Sequence, residues 1–129
     1  HIFTMIRRLV LPGIGRFAGG VCRYLTQLFV QKHSPSSIPL GTLTANVLGC
    51  FIIGLVYALS GKGNILSPEM RLFLAKGICG GYTTFSSFAY ENVNLLQDGE
   101  FFYFSLYLIL SLVIGLGAVY LGILIIKLI

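Results

Sequence analysis

The sequence predicts an all-α integral membrane protein with four crossings, the third broken near mid-membrane. Three observations carry that prediction. The 129-residue chain is 56% hydrophobic, has a mean hydropathy of +0.88, and is only 10% charged, against roughly 25% charged in soluble domains. Four long apolar segments alternate with short turns rich in Pro, Gly, Ser and charge. Inside the third stands Gly80-Gly81-Tyr82-Thr83-Thr84-Phe85-Ser86-Ser87-Phe88. There, two poor helix formers precede hydroxyls that favour helix starts.

Residues 1–129 read as a single four-helix transmembrane domain. The first span covers about Leu9–Val30, with Pro12 near its start, four glycines, and Arg16 and Arg23 embedded. Gln31–Pro39 is a polar turn. Gly41–Ser60 is a second span of 20 residues without a charge. Gly61–Pro68 is a loop, after which Ser67-Pro68-Glu69 has the pattern of a capped helix start. Leu72–Gln97 is the broken span. Asp98-Gly99-Glu100 is a tight turn. Phe101–Ile126 gives 26 uncharged residues, enough to cross with tilt. His1–Thr4, ahead of Met5, is set apart from the fold, and no signal peptide is read.

Four crossings place both termini on one side, together with Arg7, Arg8, Lys62, Arg71 and Lys127; Lys32 alone lies on the other. This five-to-one bias puts the termini in the cytoplasm. The net charge of +5 therefore suits a membrane surface better than nucleic acid. Cys22, Cys50 and Cys79 form no CxxC pair and are expected as buried, reduced small hydrophobes. Ser, His and acid do not converge, and no metal-ligand cluster stands out, so an enzyme is not expected. So few helices need a second subunit to enclose a path.

A break at bilayer depth frees backbone groups that lipid cannot satisfy, so it persists only inside protein or along a wet path. Around this one the sequence gathers donors. Asn46 lies mid-span on one helical face with Thr42, Gly49 and Ile53. Its amide is equally readable as interhelical glue or as a functional group. Thr83, Thr84, Ser86 and Ser87 add hydroxyls, and a re-started helix offers N–H groups at its positive end. Phe85 and Phe88 share a face. A bare Phe-x-x-Phe is usually packing, but ring edges beside such a break can face an anion. Tyr107, Ser111 and Gly115 share a face of the fourth span, where helix contact is the safer reading for the glycine. Arg23, about 22 Å along the helix from Arg8, is either a deep attractor of anions or a structural partner of Glu91. Lys76 and Glu91 flank the break and face opposite vestibules. A site rich in donors and poor in acids suits a small anion, and spacing alone does not choose fluoride over chloride.

These residues also carry a resemblance. Gly19-x3-Arg23-Tyr24, Gly41-Thr42-Leu43-x2-Asn46-x2-Gly49 and the Gly80–Phe88 run occur in order. Along nearly its whole length the chain resembles the Fluc (CrcB-type) fluoride channels of bacteria. The resemblance implies a passive, fluoride-selective channel that lets fluoride leave the cytoplasm across the inner membrane. It implies an antiparallel dual-topology homodimer with two pores. Asn46 would donate to fluoride, Phe85 and Phe88 would form an aromatic box, and Ser111 and Tyr107 would add polar contacts. The Gly80 and Thr83 carbonyls of both copies would hold one structural sodium ion.

Three residues depart from the family pattern. Arg16 replaces an expected glycine, Lys76 a small or neutral residue, and Gly115 a hydroxyl carried by some relatives. The charge bias also runs against dual topology, which goes with weak Lys/Arg asymmetry. Two rival readings are a proton-coupled small multidrug exporter and a non-transporting scaffold subunit. The exporter lacks its acid in the first span and any tryptophan. The scaffold leaves the coincidence of the break, Asn46 and the phenylalanines unexplained.

Overall fold

The computed structural model describes residues 1–63 and 65–129; Asn64, in the second predicted loop, lies outside them. Among the described residues the chain forms helices and no strands. Helix α1 spans Ile2–His33 and α2 Leu40–Ser60. The third rod starts as α3, Pro68–Arg71, continues as a π-helical stretch, Leu72–Cys79, and closes with one turn, α4, Gly80–Tyr82. After Thr83 and Thr84 it resumes as α5, Phe85–Gln97. Helix α6 spans Phe101–Leu128.

Local chemistry explains the ends. Ser67 Oγ accepts the Met70 N–H at 3.1 Å, so it caps α3 as its sequence predicts. Gly99, at φ +74°, makes the tight turn before α6. Helix α1 differs from expectation, because it begins at Ile2 and Pro12 lies inside it rather than in a first turn. A proline there removes one ladder hydrogen bond. Pro12 lies at the contact with the π-helical stretch, its Cα 3.3 Å from where a Cβ on Gly77 would stand. Packed neighbours of that kind let membrane helices tolerate proline.

Glycines set how closely the rods approach. A Cβ on Gly19 would collide with the Ile78 carbonyl oxygen, and one on Gly81 with that of Arg16. Gly15 faces Gly77 in the same seam. Helices α2 and α6 meet likewise, Gly54 against the Val119 carbonyl and Gly122 against that of Phe51. Small residues that let backbones touch are the usual means of helix association in lipid.

Two helices, α2 and α6, are long and apolar enough to cross a membrane by length and composition. Helix α1 carries Arg16 and Arg23 within its length, and the third rod is interrupted at Thr83 and Thr84. Much of the outer surface is apolar, including Phe17, Phe29, Ile109, Val113 and Leu116, which suits lipid contact. Cys79 is buried and Cys50 half-buried, but Cys22 is exposed, because it lies on the outward face of α1.

Candidate functional site

The break falls two residues later than the paired glycines suggest. Gly80 and Gly81 are helical, and their missing side chains serve the contact with α1. Thr83 (φ −91°, ψ 158°) and Thr84 (φ −151°, ψ 125°) are the extended residues. Asn46 holds them in place. Its Nδ2 donates to the Thr84 carbonyl at 3.0 Å, and its Oδ1 accepts the Thr84 N–H at 2.7 Å. A side-chain amide thus replaces the helical partners that Thr84 lost, which removes the cost of burying them bare. An Asn amide has two N–H donors, and this bond uses one. Thr84 Oγ accepts the Ser87 N–H at 3.2 Å and caps α5. The first N–H groups of α5 have no helical acceptor.

A cavity of about 340 Å³ opens beside this clamp. Asn46, Thr84, Phe85, Phe88 and Ser111 line it, with an apolar wall that includes Leu43, Val47 and Leu112. Gly49, Ile53 and Gly115 also face it, so the predicted faces of α2 and α6 converge there. Ser111 Oγ is buried and has no hydrogen-bond partner. A buried hydroxyl without a partner is costly unless something else meets it. The Phe85 and Phe88 rings lie 6.0 Å apart at 44°. Phe88 packs 5.1 Å from Tyr107, whereas Phe85 is 79% exposed. One wall of the cavity therefore faces outward from the chain.

A second cavity of about 340 Å³ lies at the α1–α2 turn. It is polar, with Gln27, Gln31, Ser34, Thr42, Ser87 and Glu91 among its lining. Gln27 Nε2 donates to Thr42 Oγ1 at 3.1 Å, and Thr42 donates to Glu91 Oε2 at 2.8 Å. The Tyr107 hydroxyl donates to Glu91 Oε1 at 2.9 Å. Both carboxylate oxygens are thereby met within the chain.

A family model described as CrcB-like protein, Camphor Resistance (CrcB), matches residues 10–123. The chain belongs to the CrcB family. It is 48% identical over 114 residues to a protein of Chlorobium phaeobacteroides (strain BS1), covering 88% of each chain. A protein of Prosthecochloris aestuarii is 50% identical over 114 residues, again 88% of each. One from Leptospira interrogans serovar Lai is 42% identical over 121 residues, 94% of this chain and 95% of the relative. All three relatives are named fluoride-specific ion channel FluC, and channels are not enzymes. Membership in CrcB, with two apolar helices of crossing length, makes this a membrane protein.

Within this CrcB chain, the sequence-predicted residues divide among several places. Asn46, Thr84, Phe85, Phe88 and Ser111 share the first cavity. Thr42 and Glu91 lie in the polar cavity, and Tyr107 is buried between the two with its proton committed to Glu91. Ser86 is bonded to Thr84 Oγ at 3.3 Å, outside both. Arg23 does not pair with Glu91: that carboxylate is taken by hydroxyls, and Arg23 Nε is buried without a partner. Lys76 lines a third cavity, with Arg8 and Arg71, away from Glu91.

Gly80 and Thr83 are the residues whose carbonyls would hold a hard cation. Thr84 N–H would be the helical partner of the Gly80 carbonyl, but it goes to Asn46. Thr83 lies in the extended stretch, and oxygen donors are what such cations take. The guanidinium of Arg16 stands beside Gly80, a terminal nitrogen 3.2 Å from where its Cβ would be. Gln27 and the buried Asn92 escaped the sequence reading. An amide inside an apolar segment was their signal.

Proposed function

We propose that the chain is a passive, fluoride-selective channel that lets fluoride leave the cell across the bacterial inner membrane. Its relatives are named fluoride-specific ion channels. The observation that carries the reading for these residues is the single cavity in which a partly committed amide, an unpartnered hydroxyl and two phenyl rings meet. Fluoride is small and strongly hydrated, so it enters only where dense donors replace its water. The second Asn46 N–H, Ser111 Oγ–H, the first N–H groups of α5 and the phenyl edges supply donors without an acid. The apolar wall lowers the local dielectric and strengthens each of them. The polar cavity at Glu91 is the mouth on one side, and Arg23 is a fixed cation that draws anions in.

All four rods cross the bilayer in this reading, and two copies assemble antiparallel. Phe85 supports the second copy, since an exposed ring on an ion pathway needs a wall. A second pathway follows by symmetry. A sodium ion on the Gly80 and Thr83 carbonyls of both copies would supply a fixed positive charge that ties the two breaks together. Reporter tags on the C-terminus test the topology: a mixture of cytoplasmic and external termini is expected, and termini found only in the cytoplasm contradict the antiparallel pair.

Growth tests the function. Bacteria lacking their own fluoride export should survive otherwise toxic fluoride when they express this chain. Phe85→Ile and Phe88→Ile should each lose that rescue while remaining folded, because aliphatic groups have no positive edge. Full rescue by both would remove the rings from the pathway. No rescue by well-inserted wild-type protein would remove fluoride export.

A further inference from the structure

The third cavity, about 570 Å³, belongs to none of the machinery above. Arg8 from α1, Arg71 from α3 and Lys76 from the π-helical stretch line it with Tyr57, Pro68 and Leu72. All three cations are exposed. The carboxylate closest by in sequence, Glu69, is paired with Arg7 at 3.7 Å. Among the described residues that is the sole ion pair, so three positive charges converge with no internal counter-charge. The π-helix contributes to this arrangement. Hydrogen bonding to the fifth residue widens the turn and brings position 76 round toward position 71.

We propose that this pocket binds the phosphate of an anionic phospholipid headgroup. Its place selects that source. Arg8 and Arg71 stand at the end of the bundle that carries most of the basic residues, at the depth of headgroups. Lys76 lies about one turn further into the span, where a lysine needs an anion or a path back to the interface. Tyr57 and Leu72 give a floor that is apolar with a polar tip, suited to the boundary between headgroup and acyl chain. Basic pockets between membrane helices hold such headgroups, and in an antiparallel pair each copy presents its pocket to a different leaflet. Lys76 becomes the deepest ligand of this chain's lipid site.

Native mass spectrometry of the full chain, released from detergent with phosphatidylglycerol or phosphatidylcholine added, tests the proposal. Wild-type protein should retain phosphatidylglycerol over phosphatidylcholine. The triple variant Arg8→Gln, Arg71→Gln, Lys76→Gln should bind it about 100-fold more weakly. Lys76→Gln alone, a change at an exposed position, should bind it several-fold more weakly and keeps the test decisive if the triple variant misfolds. Equal retention by wild type and Lys76→Gln would overturn the site. Displacement of the lipid by inorganic phosphate at matched concentration would overturn the lipid as the source and leave a free phosphate in its place.

Discussion

Asn46→Asp should abolish fluoride efflux. The substitution is nearly isosteric, so its effect is chemical. In the native chain Nδ2 donates to the Thr84 carbonyl and Oδ1 accepts the Thr84 N–H. A carboxylate keeps the second bond and reverses the first, setting an acceptor oxygen against a carbonyl oxygen 3.0 Å away. Leaving that carbonyl unpaired costs about 1–3 kcal/mol, and the same change removes the amide N–H offered to the anion. A negative charge in a confined pathway also repels fluoride directly. We expect a loss of at least about 100-fold in efflux, the weight of a repelled charge added to a lost donor. Measured in liposomes against wild-type protein at equal insertion, normal efflux by Asn46→Asp would take Asn46 off the pathway.

Gly19→Ala should cause the largest loss of stability of any single methyl added to this chain. The new Cβ would collide with the Ile78 carbonyl oxygen and stand 2.9 Å from the Tyr82 backbone nitrogen. Both are backbone atoms, so neither can rotate away. Helix α1 must lift off the π-helical stretch along the whole seam of Gly15, Gly19 and Gly81. Overpacking of this kind costs about 1–3 kcal/mol or more. Gly20→Ala is the internal control. It has nothing within 4 Å of the added methyl, and alanine is the better helix former by about 1 kcal/mol. Thermal unfolding in detergent should therefore drop for Gly19→Ala and hold or rise for Gly20→Ala. Equal melting of the two would mean that the seam is looser than its geometry.

The helices were legible in the sequence because lipid imposes a simple length rule and the turns between spans are short and polar. The cap at Ser67 and the shared face of Asn46, Gly49 and Ile53 were equally legible, since both follow from local spacing. The π-helical stretch was not. Nothing in Leu72–Cys79 distinguishes it from an α-helix by composition, and Gly77 within it packs against Pro12 and Gly15 of α1, contacts that lie far off in sequence. The role of Gly80 and Gly81 was misplaced for the same reason: a glycine pair reads as a break locally, whereas here the decisive partner is Arg16, more than sixty residues away in the chain. Thr42 and Tyr107 carry hydroxyls that a sequence assigns freely to an ion. The fold commits both to Glu91, an acid that only tertiary structure brings between them.

Fluoride efflux from liposomes holding the purified chain, read with a fluoride electrode and repeated with chloride, tests the central claim most directly. Rapid fluoride efflux without a proton gradient, with negligible chloride efflux, is the predicted result. Equal passage of both ions, strict dependence on a proton gradient, or no efflux from folded and inserted protein would contradict it.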